Sequence, residues 1–215
     1  MGTKIRFFRI QDASSSTKSY AWAAGFGLLE TPMPFLHPNQ LARAVEFGKK
    51  NPRSPGLYIE DYDYGPKARK WPDFLGHGGV TSPSHFVSET VIEDLRANGA
   101  PIARVTEMPI AEIQATGLRS IPPPKYFALE TVPGIEVDFA ASGIPTDSEG
   151  KPILNPLPKP WPPIWRLKAS SWNGADLFSY SNYGGPLTLI CTEKIVELAH
   201  KQRWSNCRFE PIWAI

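Results

Sequence analysis

The apolar positions of this chain fall into short runs broken by glycine and proline, and only a few stretches carry a helical period. Residues 4–10 mix basic with apolar side chains and predict a strand, followed by a polar loop from Ser14 to Thr17. From Asn39, a plausible N-cap, Leu41, Ala44 and Val45 mark one helical face, which Gly48 or Asn51-Pro52 would end. Leu57-Tyr58-Ile59 predicts a short strand. Residues 126–130 and 135–139 predict two more, the second in strict alternation, and residues 165–169 a further one. Residues 151–163 carry a run of prolines and predict a loop or polyproline II segment.

Two stretches about a hundred residues apart resemble each other. The first holds Trp71, Asp73-Phe74-Leu75, Gly78-Gly79, Phe86-Val87-Ser88-Glu89, a helical pattern, and Glu107 with Pro109-Ile110. The second holds Trp172, Asp176-Leu177-Phe178, Gly184-Gly185, Ile190-Cys191-Thr192-Glu193, a helical pattern, and Glu210-Pro211-Ile212. The pattern predicts one supersecondary unit used twice. In each, a strand feeds a helix whose cap is Ser88 or Thr192, with the hydroxyl expected to accept an orphan backbone N–H. Glu89 and Glu193 follow, where negative charge suits the positive end of the helix dipole. Val91, Ile92 and Leu95 give one apolar face, and Ile195, Val196 and Ala199 the other. Gly99 is the expected stop of the first helix. Returning strands are expected over 102–105 and 207–209. Trp71 and Trp172 are expected to be buried beside these helices.

The expected fold class is α+β, mostly antiparallel sheet with a few helices, containing two similar strand-helix-strand units. The expected halves are 1–120 and 121–215, joined as one two-lobed domain. A chain of 215 residues can bury a real core. Twenty-three prolines, about twice the usual share, predict long ordered loops. The net charge of +2 gives no bulk electrostatic reason to expect nucleic acid or an anionic membrane. Cys191 and Cys207 are too few for a disulfide framework or a zinc ribbon, and both are expected as free thiols. No signal-peptide pattern is visible, and residues 20–29 are too short an apolar run to span a bilayer. A cytoplasmic location is the expectation.

Catalytic motifs are sparse. There is no G-x-S-x-G, no P-loop and no complete dinucleotide fingerprint. His77 and His85 bracket a Gly-Gly turn, and with Asp73 they make a conceivable metal or acid/base site, the basis of an alternative reading as a small enzyme. The second stretch lacks the histidines, which favours solvated loop residues, and the recurrence of aspartate at Asp73 and Asp176 favours an Asx-type structural role. Glu60-Asp61-Tyr62-Asp63-Tyr64 interleaves carboxylates with tyrosines, a composition suited to a protein interface, and is the candidate partner-binding segment.

The C-terminal run Trp172-Asn173-Gly174-Ala175-Asp176-Leu177-Phe178, the strand and helix that start at Ile190-Cys191-Thr192-Glu193, and Arg208-Phe209-Glu210-Pro211-Ile212 resemble the imm11 group of bacterial immunity proteins. The likeness covers about forty residues, with a weaker echo at 71–110. It implies a cytoplasmic protein that binds a cognate toxin of a polymorphic or contact-dependent system and neutralises it by occluding its active site. It implies no catalytic residues, no metal and no cofactor. A general protein-interaction module is the other non-enzymatic expectation.

Overall fold

The computed structural model describes residues 6–12, 21–27, 56–61, 68–77, 85–153, 165–182 and 189–215. The predicted helix from Asn39 and most of the proline-rich segment lie outside them. Strands β1 (Phe7–Asp12), β9 (Pro133–Val137), β10 (Arg166–Lys168), β11 (Leu177–Tyr180), β12 (Ile190–Thr192) and β13 (Cys207–Ala214) close a barrel in the order β1-β12-β11-β9-β10-β13. Strands β2 (Ala21–Gly27), β3 (Gly56–Asp61), β4 (Phe74–His77), β5 (His85–Ser88), β6 (Ile102–Met108), β7 (Ile110–Ile113) and β8 (Tyr126–Thr131) form a second sheet in the order β6-β8-β5-β4-β2-β3-β7.

Two helices stand among the described residues, α1 (Glu89–Ala97) and α2 (Glu193–Gln202). The fold is therefore strand-rich α+β. Its sheets are mixed: β2 with β4, β3 with β7, β9 with β11 and β10 with β13 run parallel, and the remaining ladders antiparallel.

The two edge strands of the second sheet are consecutive in the chain. Only Pro109 separates β6 from β7, where a residue without an N–H interrupts the ladder. Its carbonyl still accepts a bond from the Leu57 amide at 2.7 Å. One length of chain thus lies on β8 at its start and on β3 at its end.

Strand and helix patterns explain the burial. Phe7 and Ile10 of β1 are buried, while Arg9 between them reaches Glu210 on β13 at 2.7 Å. Helix α1 buries Val91, Ile92 and Leu95, and α2 buries Ile195, Leu198 and Ala199. Both apolar faces enter a single cluster with Ile10, Phe74, Leu129, Leu177 and Trp204, so residues from both sides of position 120 share that core. A second cluster, around Leu57, Phe86 and Tyr126, is built from strands of the seven-stranded sheet, and a third, around Phe7, Ile135 and Phe178, from strands of the barrel.

Trp71 and Trp172 are not core residues beside the helices. Each is partly exposed and packs into the second and third clusters instead. Their indole N–H groups donate to the carbonyls of Ile121 and Ala175, both at 3.0 Å. An indole must satisfy that donor, which holds it at a rim where a carbonyl is within reach.

Candidate functional site

Among the described residues, side-chain hydrogen bonds join the segment before β4 to the start of α1 and to the link before β13. Asp73 precedes β4, and its carboxylate holds two segments. Oδ1 accepts from the Ser88 hydroxyl at 3.0 Å, and Oδ2 accepts from the Ser205 amide at 2.8 Å and the Ser205 hydroxyl at 2.7 Å. Backbone bonds run beside these, from the Ser88 amide to the Asp73 carbonyl at 2.8 Å and from the Phe74 amide to the Ser205 carbonyl at 3.3 Å.

Asp176 precedes β11 and stands to Thr192 as Asp73 stands to Ser88. Its Oδ1 accepts from the Thr192 hydroxyl at 2.8 Å, and the Thr192 amide donates to the Asp176 carbonyl at 3.0 Å. Oδ2 takes the Lys194 ammonium at 2.7 Å, a largely exposed pair and so of small weight. The strands agree as well: Phe74 faces Val87, and Leu177 faces Cys191.

These bonds correct the helix caps. Ser88 and Thr192 occupy the cap positions of α1 and α2, but neither side chain bonds its helix. The hydroxyls are buried, and each donates its proton to its aspartate, a charge-assisted bond that turns the oxygen toward the carboxylate and away from the helix amides it was expected to accept from. The helix stops are as expected at Gly99, with φ 70°, whereas α2 ends on Arg203 with φ 59°, a left-handed conformation that costs a residue with a Cβ.

The Trp204-Ser205-Asn206 link between α2 and β13 ties further to the first half. The Trp204 indole donates to Asp94 Oδ2 at 2.7 Å, and the buried Asn206 amide donates to the Phe74 carbonyl at 2.6 Å. Sequence reasoning missed these residues. The available signal was a polar Ser-Asn pair between a helix and an apolar strand, with Asn206 suited to its φ of 58°.

Burial governs the ionisation of the remaining groups. Tyr126 donates to the Pro72 carbonyl at 2.6 Å, and burial followed by the Asp73 charge pushes its phenol far above the ordinary range, so it stays a neutral donor. Cys191 and Cys207 are free, as expected. Burial raises both thiols, Cys207 from 9.0 to about 12 with Asp73 as the next cause, and Cys191 further. Neither is a nucleophile near neutral pH.

The backbone brings some of the sequence-predicted site positions together and sets others apart. Asp73 stands just before β4 and His77 ends it. At about 3.3 Å per strand residue, their backbones lie about 13 Å apart. Gly76 faces His85 across the β4–β5 ladder, so the backbone brings the two histidine positions to one end of the hairpin and leaves Asp73 at the other. Glu60 and Asp61 end β3, opposite Trp22 and Ala21 of β2, while Tyr62, Asp63 and Tyr64 lie outside the described residues. Among the described residues no group of three His, Cys, Asp or Glu side chains is placed to hold a metal ion.

The largest exposed apolar side chains among the described residues cluster at the chain's end. Trp213 is 59% and Ile215 62% exposed, and the Arg166 guanidinium lies 5.9 Å from the Trp213 ring centroid. Aromatic and arginine side chains of this kind are the residues that anchor protein interfaces. No helix among the described residues is long and apolar enough to cross a membrane. Comparison with family models and with curated protein sequences finds no match to this chain.

Proposed function

We propose that this protein is a binding protein built from two similar strand-helix-strand units, and that it neutralises a cognate bacterial toxin by covering the toxin's active site. The observation that carries this reading is the use made of Asp73 and Asp176. Asp73 and Asp176, the carboxylates that recur in the two stretches, both hold a buried cap hydroxyl in the same geometry. Groups fixed in this way are scaffold, and the surface is left to do the work. The resemblance of the C-terminal forty residues to immunity proteins supplies the class of partner. The proposed contact surface comprises Glu60, Asp61, Tyr62, Asp63 and Tyr64, with carboxylates to steer a basic toxin and tyrosines to anchor it. A cytoplasmic site of action and independence from metals and cofactors belong to the same proposal.

Co-expression tests it. The protein should restore growth to cells making the toxin encoded beside its gene and should co-purify with that toxin. Replacing Tyr62, Asp63 and Tyr64 together by alanine should weaken rescue while leaving the melting temperature unchanged. Full rescue by that variant removes the segment from the interface. Failure of the unaltered protein to bind any neighbouring toxin refutes the immunity reading.

A further inference from the structure

The two sheets share more than the aspartate geometry. In the first, β8 lies between β5 and β6, antiparallel to both; in the barrel, β1 lies between β12 and β13, antiparallel to both. The registers agree position by position. Tyr126 faces Ser88 and Met108, as Phe7 faces Thr192 and Ile212. Leu129 faces Val105, as Ile10 faces Phe209, and Glu130 faces Arg104, as Gln11 faces Arg208. Trp71 packs on Tyr126 at 6.2 Å between ring centroids, and Trp172 on Phe7 at 5.5 Å.

Beyond these strands the pattern continues. β4 runs parallel to β2, β2 antiparallel to β3, and β3 parallel to β7; β11 runs parallel to β9, β9 antiparallel to β10, and β10 parallel to the end of β13. In chain order the two runs are β1-β2-β3-β4-β5-α1-β6-β7 and β8-β9-β10-β11-β12-α2-β13. Each run's first strand sits in the other run's sheet.

We propose that the chain is two tandem copies of one barrel unit that have exchanged their first strands, so that the slot between β12 and β13 is an acceptor site for a strand from a sister copy. Strand direction gives the physical reason for exchange. Through β12 and β11, the slot runs parallel to β9. β8 ends at Thr131 and β9 begins at Pro133. Filling the slot of its own barrel would make β8 parallel to β9, and parallel strands need a crossover of about a dozen residues, which Val132 alone cannot supply. β8 therefore runs straight on into the sister sheet, and the vacated slot takes β1. The occupant fixed by the slot is a strand with buried apolar side chains at its first and fourth positions: Phe7 and Ile10 in β1, Tyr126 and Leu129 in β8. A second copy of this chain offers the same strand.

The experiment has two arms on the full chain. In the first, Arg9→Cys and Glu210→Cys, which face one another across β1 and β13, are combined with Cys207→Ala and a protease site inserted between the exposed Pro122 and Pro123. After oxidation and cleavage of the folded protein, a denaturing gel without reductant should show the two fragments covalently joined, alone or as pairs of chains linked by strands donated between copies. Reductant should release both. Fragments that separate without reductant overturn the exchange.

In the second arm, residues 7–12 are replaced by the sequence of 126–131 in register, with the sequence of 127–132 as a control. The in-register graft should keep one cooperative melt within about 10 °C of the parent. The control carries Ile10→Glu into the core and should abolish it, since a one-residue slip turns every side chain to the wrong face. Loss of folding by the in-register graft, or equal stability of the two, overturns the tandem-copy assignment.

Discussion

Replacing Asp73 by alanine should cost more than replacing Asp176. Asp73 accepts three bonds, and two of them come from Ser205, more than a hundred residues away in sequence. Hydrogen bonds to a charged group contribute about 1.5–3 kcal/mol each, but bonds sharing one carboxylate are not additive. Asp73→Ala also leaves the Ser88 hydroxyl, 3% exposed as a residue, without its acceptor. Together these set the loss at about 3–5 kcal/mol. Asp176→Ala removes the single Thr192 bond, stranding that buried hydroxyl, and a lysine contact that solvent already screens, for about 1.5–3 kcal/mol. Against the 5–15 kcal/mol typical of a domain, the first change brings the protein near its stability threshold and the second does not. Urea unfolding measures both as a shift in midpoint at constant slope. A cycle with Ser205→Ala should show coupling of at least about 1 kcal/mol to Asp73 and none to Asp176. Equal losses for the two aspartates, or coupling below about 0.5 kcal/mol, would refute the assignment of Asp73 as the joint between the halves.

Arg203→Gly should stabilise the protein by about 0.5–1 kcal/mol in the same assay, because glycine adopts the φ of 59° without a Cβ penalty; destabilisation would mean that the arginine side chain contributes more than the strain it bears. Gly134→Ala should destabilise by about 1–3 kcal/mol, since its Cβ would fall 2.5 Å from the Phe178 Cβ in the barrel core; an unchanged melt would contradict that packing. Stability should fall as pH rises from about 9 towards 12: the thiol pKa of Cys207 is raised from 9.0 to about 12 in the folded state, so the unfolded chain ionises first. Cys207→Ala should remove part of that decline, at most about 1.4 kcal/mol per pH unit, and an identical pH profile for the variant would rule the thiol out.

What was legible in the sequence was local. Ser88-Glu89 and Thr192-Glu193 mark the helix starts, Gly99 the first stop, and the alternation over 135–139 a strand that the structure ends at Val137. The partner of each cap was not legible, since a serine before a helix looks the same whether it bonds the helix or an aspartate fifteen residues earlier. Pro109-Ile110 and Pro211-Ile212 look matched in sequence but occupy different registers. Pro211 faces Phe8 within the β1–β13 ladder, whereas Pro109 lies beyond the end of β6, past the Met108–Tyr126 pair. The mixed strand directions were invisible too, because period-two alternation carries no sign of direction. The long-range joints of Ser205 and Asn206 depend on folding alone.

The position of the shared core limits where a partner can bind. The apolar faces of α1 and α2 are both used in the cluster that joins the two sheets. The two other clusters bury Tyr126, Phe86 and Leu57 of the seven-stranded sheet and Ile135, Phe178 and Leu167 of the barrel. Among the described residues, a partner of the proposed kind would therefore meet rims, strand ends and outward faces. Trp213 and Ile215 stand at such an end, with Arg166 over the indole, and their exposure contributes nothing to the cores beneath. Trp213→Ala should thus leave the urea midpoint within about 0.5 kcal/mol of the parent, as surface substitutions do. If this end joins the contact with a protein partner, the same change should weaken binding at least tenfold, as loss of an aromatic anchor does. A Trp213→Ala protein that unfolds early would place the indole in the fold instead, and one that binds with unchanged affinity would move the interface elsewhere along the rim.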